Sequence, residues 1–318
     1  MAVSASLWGA LFLCFLVSLT APVSATNGLR VGFYRRSCPN VEKIIFRSLY
    51  QSYKADQRIA PGVLRIAFHD CFVLGCDASI MLDGPDSEKQ AFANSFNNQT
   101  YAALESAKRA VEKACPGVVS CADVLQYAAR DAVIISGGCG WAVPAGRRDG
   151  CISKMEDVIL PSPHSNASVL IELFQTKGLT PEQMVALSGA HTIGSASCFT
   201  FDNRIQVPEA DPTLNPGLAR SLKRQCPTPG LKTKVFMDST PHKFDSHYYL
   251  GLIQGKGVMS SDQALMENPR TRRSVYAYRN PSTFSRDFAS AMVAMSQIQV
   301  LTGHQGEIRR HMSVVNHH

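Results

Sequence analysis

The chain has 318 residues, 45% of them hydrophobic and 18% charged, with a formal net charge of +7. That length allows one large domain or two smaller ones, and the composition excludes an intrinsically disordered protein. No compact run of Lys and Arg with interleaved aromatics is present, which argues against a nucleic-acid partner. The positive balance suits retention on a polyanion such as acidic polysaccharide, or solubility alone.

The first 25 residues carry no charged side chain. Leu7 to Leu19 form an apolar stretch and Val23-Ser24-Ala25 reads as a small-residue cleavage site, which predicts a secretory signal over 1–25. The apolar run is too short for a membrane anchor, and Pro22 closes it. No later segment is long enough to span a bilayer, so the remainder, 26–318, is expected to be a soluble secreted chain. Cys14 would leave with the signal. Cys38, Cys71, Cys76, Cys115, Cys121, Cys139, Cys151, Cys198 and Cys226 remain. In an oxidising compartment most of them should pair, with at least one left over because nine is odd. Sequons at Asn98-Gln99-Thr100 and Asn166-Ala167-Ser168 fit a glycoprotein.

Along the chain, helical signals dominate. Residues 63–72 and 101–114 carry helical spacing, and Ser120-Cys121-Ala122-Asp123 resembles a capping box ahead of V-L-Q-Y-A-A-R-D-A-V-I-I. The interval 141–152 is β-like, since Pro144 and Gly146 break any helix. Residues 168–177 are helical in pattern. Thr180-Pro181-Glu182-Gln183 is a strong helix start, with a threonine cap, proline first and glutamine third. Residues 218–225, 272–278 and 284–300 complete a mainly α domain with minor β structure and loops of some length.

The chemistry concentrates in L-R-I-A-F-H-D-C-F-V-L-G-C-D-A-S, residues 64–79. On a helix, Arg65, Phe68 and His69 stand at i, i+3 and i+4 and share one patch. His can move a proton near neutral pH and Arg can stabilise charge developing on oxygen, so the patch suits acid–base work on a small polar substrate. A structural ion network is the competing explanation. Asp70 points elsewhere. With Asp77, Ser79 and the backbone at Val73 and Gly75 it offers hard oxygens of the kind calcium prefers. Cys71 and Cys76 would staple that loop. Alternatively they would join His69 as zinc ligands, a set lacking an evident fourth member. A second histidine, His191 in S-G-A-H-T-I-G, is flanked by small residues that would let a flat cofactor approach. A satisfied core histidine would look the same.

Together these stretches resemble the plant secretory haem peroxidases, the class III family. The resemblance spans F-Y-R-R-S-C-P-N at 33–40, R-I-A-F-H-D-C-F-V-L-G-C-D-A-S at 65–79 and S-E-K-Q-A-F-A-N at 87–94. It continues through A-C-P-G-V-V-S-C-A-D at 114–123, V-P-A-G-R-R-D-G at 143–150, L-P-S-P at 160–163 and A-L-S-G-A-H-T-I-G at 186–194. T-P-H-K-F-D at 240–245, S-D-Q-A-L at 261–265 and G-E-I-R-R at 306–310 complete it. It implies a mainly helical fold with haem b between two helical halves, hydrogen peroxide as oxidant and phenolic small molecules as donors. His191 matches the iron ligand and Asp262 the carboxylate that holds its other N–H, making the imidazole a stronger donor. His69 matches the base, Asn94 the amide that orients it, and Arg65 the charge stabiliser. Phe68 matches the wall over the iron and Pro161 the donor-binding position. Two calcium ions are implied. One is held by Asp70, Val73, Gly75, Asp77 and Ser79, with Glu88 linked to it; the other by Thr192, Asp238, Thr240, Lys243 and Asp245.

Departures from the family pattern are equally specific. Met237 stands where an aspartate is usual, so Asp238 must reach the second ion through a shortened turn or the site loses a charged ligand. Asn97-Asn98-Gln99-Thr100-Tyr101 replaces the family's S-x-R-G-F/Y. The resemblance pairs Cys38 with Cys115, Cys71 with Cys76 and Cys198 with Cys226, but the usual partner of Cys121 is Met312. Cys139 and Cys151 flank the β-like interval, where a hairpin would pair them and leave Cys121 as the odd thiol. The extracellular space is expected, since no apolar extension follows Val314-Val315-Asn316, and a monomer is expected as well. The competing class is a calcium-binding wall glycoprotein that keeps the fold without catalysis.

Overall fold

The computed structural model describes residues 28–206, 211–228, 230 and 232–316. The secretory signal expected over 1–25 lies outside them. Twelve α-helices are present among the described residues: α1 (Val41–Ala55), α2 (Ile59–Phe72), α3 (Asn98–Ala114), α4 (Cys121–Ile135), α5 (Ala167–Thr176), α6 (Pro181–Ser188), α7 (Asp202–Ile205), α8 (Pro216–Gln225), α9 (His247–Ile253), α10 (Ser260–Glu267), α11 (Pro269–Ala277) and α12 (Pro281–Met295). Strands are short. β1 (Arg30–Val31) pairs antiparallel with β2 (Pro144–Ala145), and β3 (Ser195–Ser197) with β4 (Lys234–Phe236).

Helix α2 is apolar on nearly every face. Ile59, Val63, Leu64, Ile66, Ala67 and Phe72 are buried, as are His69, Asp70 and Cys71. It packs on α3 and α4, while α1 lies across α3 and α4. Gly62 permits the close approach to α3, because a Cβ there would lie 2.5 Å from Thr100 Oγ1. On the other side α6 packs against α12, α11 and α5. Both sides contribute to one continuous core, and a smaller cluster around Cys198, Phe201, Leu222 and Val235 sits beneath β3 and β4.

The helix start at Thr180 forms a full capping box, with Thr180 accepting from Gln183 N (3.2 Å) and Gln183 accepting from Thr180 N (2.9 Å). At Ser120 only half the box forms. Ser120 Oγ accepts from Asp123 N at 3.1 Å, but the Asp123 carboxylate turns to Tyr34 Oη (2.7 Å), Gly146 N (2.7 Å) and Arg147 Nη1 (2.7 Å). Beside it, Asp149 accepts from Cys121 N (3.0 Å), Ala122 N (2.8 Å) and Arg309 N (2.8 Å). Both carboxylates thus sit at the positive N-terminus of α4. They tie the N-terminal turn, the segment after β2 and the C-terminal tail to one helix.

Disulfides join Cys38 to Cys115, Cys71 to Cys76 and Cys198 to Cys226. The expected Cys139–Cys151 bridge does not form, and Cys151 is exposed and unbridged. The reason lies in strand pairing. β2 does not fold back on its own flank as a hairpin but pairs with β1, and Arg148 and Asp149 bridge to Leu301 and Glu307, so the two ends diverge. Cys121 is buried, its Sγ 3.7 Å from His311 O and 3.8 Å from Arg309 O, next to the fully buried Met312. Burial, followed by the Asp149 charge, pushes that thiol well above its ordinary pKa.

Two stability predictions follow from these buried charges. Asp123→Ala leaves Arg147 buried without its partner, and urea unfolding should show a loss of about 3–5 kcal/mol. Asp131 pairs through Oδ1 with Arg130 Nη2 (2.7 Å) while Oδ2 has no hydrogen-bond partner, and burial pushes its pKa up from 3.8 to about 6. An acid raised on folding stabilises the protein below its unfolded pKa and loses that contribution as pH climbs through the folded value. Asp131→Asn cannot ionise, so it should gain on the wild type by up to about 3 kcal/mol between about pH 4 and 6, and match it at lower pH.

Candidate active site

Helix α2 presents Arg65, Phe68 and His69 on one face, as their spacing requires. His69 Nδ1 lies 2.7 Å from Asn94 Oδ1, and Asn94 Nδ2 donates to Glu88 O at 2.7 Å. Because the amide nitrogen is committed to that carbonyl, its oxygen faces the ring. His69 therefore carries its proton on Nδ1 and leaves the Nε2 lone pair open. Burial, then the Arg65 charge, holds the imidazole pKa well below the ordinary value, against the opposing pull of the Asn94 bond. It is a neutral base at physiological pH.

Arg65 donates from Nη2 to Ala93 O (2.9 Å), and its guanidinium lies 4.7 Å over the Phe96 ring. Phe96 also meets His69 edge-on at 5.1 Å. Sequence reading missed Phe96 and the Ala93 carbonyl, although both flank Asn94 in A-F-A-N-S-F. Phe68 is half-buried and stacks with Phe174 of α5 at 6.1 Å.

His191 sits on a short 3-10 turn, Gly189–Thr192, that continues α6. Gly189 is obligatory there, since a Cβ would lie 2.4 Å from Tyr249 Oη and 2.5 Å from Phe284. His191 Nδ1 is 2.8 Å from Asp262 Oδ1, so the carboxylate holds the N–H and Nε2 is again left with a free lone pair. Tyr248 Oη donates to the same Oδ1 at 2.9 Å, and Met259 N donates to Oδ2 at 3.2 Å. Tyr248 was not singled out in the sequence, because its role depends on α9 reaching α10. Pro161 is half-buried in the irregular segment before α5, anchored where Ser261 N donates to Pro163 O (2.9 Å).

Beneath His69, Asp70 turns to the other side of α2. Its Oδ2 accepts from Ala78 N (3.0 Å), and Asp77 Oδ1 accepts from Ser79 N (3.0 Å). Asp70 Oδ1, Ser79 Oγ and both Glu88 carboxylate oxygens are buried without a hydrogen-bond partner. Buried oxygens rarely stay unpaired, and oxygens of this kind are the ones a hard cation could take. Burial raises all three carboxyl pKa values, with Glu88 up to about 7. Among the described residues no three His, Cys, Asp or Glu side chains converge as a metal cluster. Of the carbonyls expected there, Val73 O accepts from Lys177 Nζ (3.2 Å) and Gly75 O from Asp77 N (2.9 Å). Gly75 itself, at φ 110°, passes against Gln299, where a Cβ would lie 2.5 Å from the carbonyl oxygen.

A second oxygen cluster adjoins His191. Thr192 Oγ1 donates to Asp238 Oδ2 (2.7 Å), and Thr240 N donates to Asp238 Oδ1 (2.6 Å). Thr240 Oγ1 reaches Asp245 Oδ1 at 3.1 Å, while Asp245 Oδ2 has no hydrogen-bond partner and Lys243 Nζ stands 3.7 Å away. The turn does bring Asp238 to the threonines, with Met237 packed on the smaller core. In the altered segment, Asn97 caps α3 by accepting from Gln99 N (3.0 Å), Asn98 is exposed and Thr100 is buried.

Comparison with known proteins agrees with this arrangement. A family model described as Peroxidase matches residues 45–281. The chain is 44% identical to peroxidase 71 of Arabidopsis thaliana over 314 residues, 95% of each chain. It is 42% identical to peroxidase 5 of Vitis vinifera over 322 residues, covering 97% of this chain and 96% of the relative. It is 44% identical to the lignin-forming anionic peroxidase of Nicotiana sylvestris over 296 residues, 91% of each. With two imidazoles whose Nδ1 atoms are both fixed, a helical frame and these matches, the chain belongs to the plant class III branch of the peroxidase family and is a haem peroxidase that uses hydrogen peroxide.

Proposed function

We propose that the enzyme reduces hydrogen peroxide at Arg65, His69 and Asn94 and oxidises phenolic donors one electron at a time beside Pro161. The observation that carries this is the matched pair of histidines, each with Nδ1 held by a side-chain oxygen and Nε2 left open. His191 Nε2 would ligate the iron of haem b, and Asp262 would make it a stronger donor. The haem supplies the redox centre at which the O–O bond is cleaved. His69 Nε2 takes the proton from the attacking peroxide oxygen and returns it to the departing one, so water leaves and not hydroxide. Arg65 lies beside it, fixed by Ala93 and Phe96, to stabilise charge on the departing oxygen. Phe68 and Phe96 wall this face, which directs donors to the haem edge and Pro161. Phenolic donors accord with the name of the lignin-forming relative.

Two calcium ions complete the reading. One is assigned to Asp70, Val73, Gly75, Asp77 and Ser79, with Glu88 linked to it. The other is assigned to Thr192, Asp238, Thr240, Lys243 and Asp245. Each ion would lie next in sequence to a working histidine and hold its backbone in place. We further assign residues 1–25 to a secretory signal and 26–318 to a single monomeric catalytic domain in the cell wall space. There the charge of +7 would favour acidic polysaccharide. No helix among the described residues is long and apolar enough to cross a membrane.

Two measurements test this. His69→Leu should keep the haem absorption band but slow its response to peroxide by about 10²–10⁴, whereas an unchanged rate would remove His69 from the mechanism. Adding calcium to chelator-treated protein at about pH 7 should release protons, because the ion favours ionised carboxylates and burial lifts the Glu88 carboxyl to about 7. The same addition should raise thermal stability, by about 2.7 kcal/mol at a hundredfold excess over Kd. Asp70→Asn should weaken both responses. No proton release would count against the site around Asp70.

A further inference from the structure

Arg65 is a cation without a counterion. It donates from Nη2 to Ala93 O, and among the described residues it forms no ion pair. What lies against it is a ring, with the guanidinium carbon 4.7 Å from the Phe96 centroid. The same ring meets His69 edge-on at 5.1 Å. Phe96 thus touches both groups assigned to peroxide, and it is half-buried, with part of its surface open. Its backbone is fixed on both sides. Phe96 N donates to Asn94 O at 2.7 Å, and Asn97 caps α3 immediately after it.

The ring is backed in turn. Tyr101, in the first turn of α3, meets Phe96 edge-on at 5.8 Å, and its hydroxyl lies 3.5 Å from Asn94 O. Lys89 Nζ stands 4.7 Å from the Tyr101 ring centre and pairs with Asp83 at 2.5 Å. Carboxylate, ammonium, ring, ring and guanidinium therefore follow one another from exposed Asp83 to Arg65. Helix α3 reaches this place because it meets α2 closely at Gly62 and Thr100. Gly62 lies one turn before Arg65, and Thr100 one residue before Tyr101.

We propose that Phe96 is a positioning and specificity residue of the peroxide site: its ring face holds the Arg65 guanidinium, and its bulk beside His69 admits hydrogen peroxide while turning away organic hydroperoxides. This rests on the peroxidase reading. Arg65 needs holding, since a long side chain with one hydrogen bond keeps much of its rotamer freedom. A carboxylate would hold it, but would also neutralise the charge meant for the departing oxygen and occupy its N–H donors. An aromatic face attracts the cation through its quadrupole and leaves the in-plane N–H groups free. Selectivity follows from the same placement. His69 takes the proton from the attacking oxygen of either oxidant. With hydrogen peroxide the departing oxygen carries hydrogen and leaves as water. With an organic hydroperoxide it carries carbon and leaves as an alcohol. That substituent then sits where Arg65 serves the departing oxygen, against the ring that covers Arg65.

Haem-loaded protein tests this with no donor present. The rate at which the haem absorption band changes is measured with hydrogen peroxide and with cumene hydroperoxide. Fluoride affinity is read from the same band, since a small anion in the place of peroxide accepts from Arg65. Phe96→Leu keeps the apolar bulk but loses the ring face. It should weaken fluoride binding and slow the hydrogen peroxide rate by about two- to thirtyfold, the range a cation–π contact supplies. Phe96→Tyr keeps the face and should retain fluoride affinity. Tyr101→Leu removes the backing and should weaken fluoride binding by a smaller factor, with circular dichroism confirming the fold. Phe96→Ala should raise the cumene hydroperoxide rate relative to the hydrogen peroxide rate several-fold. Unchanged fluoride affinity in Phe96→Leu and Tyr101→Leu overturns the hold on Arg65, and so does an equal loss in Phe96→Tyr. An unchanged rate ratio in Phe96→Ala overturns the selectivity. These outcomes leave the peroxidase reading standing, whereas a wild type whose band answers neither hydroperoxide overturns that reading and the role of Phe96 with it.

Discussion

Burial of α2 on nearly all sides is the constraint on which the site depends. A helix enclosed between α3, α4 and the aromatic wall of α5 has no freedom to rotate, so the directions of His69 and Asp70 are set together. Consecutive helical residues point about 100° apart. One therefore faces Asn94 while the other faces the oxygen cluster around Ser79 and Glu88. Asp70 and His69 share that backbone, so the oxygen cluster and the Asn94-bound imidazole form one mechanical unit.

The N-terminus of α4 plays the corresponding part for the frame. Asp123 and Asp149 collect the N-terminal turn, the β2 segment and the C-terminal tail at one place. Where Met312 replaces the usual partner of Cys121, the tail remains tied through Arg309 N to Asp149 and Met312 N to Glu105 (2.9 Å). Arg309 Nη2 continues the chain of contacts to Ala78 O at 2.7 Å, beside the oxygen cluster. Hydrogen bonds to buried charges are among the stronger ones, so a polar network takes over part of what a covalent link would do.

On the His191 side the decisive feature is a shared acceptor. Asp262 Oδ1 takes both the His191 N–H and the Tyr248 hydroxyl. Tyr248 thereby shares the carboxylate oxygen that holds the His191 N–H, and the same bond sets its ring edge-on to the imidazole. The orientation of His191 and the position of the Tyr248 ring are consequences of one carboxylate.

Much of this protein was legible in one dimension. The i, i+3, i+4 spacing of Arg65, Phe68 and His69, the Thr180 cap and the hard-oxygen set around Asp70 are local patterns whose geometry follows from helix periodicity and short loops. The ordered motifs that resemble peroxidases carried the pairing of His69 with Asn94 and of His191 with Asp262. What local pattern could not decide was set by long-range pairing. Helices α1, α9 and α10 passed unnoticed, because their signals are weak without the core they pack on. The hairpin expected between Cys139 and Cys151 gave way to pairing of β2 with β1, since the extended Arg30–Val31 segment, more than a hundred residues away, offered the better edge. Phe96 and Tyr248 emerged only in three dimensions. Their partners lie on other elements or other turns, and only packing brings those surfaces together.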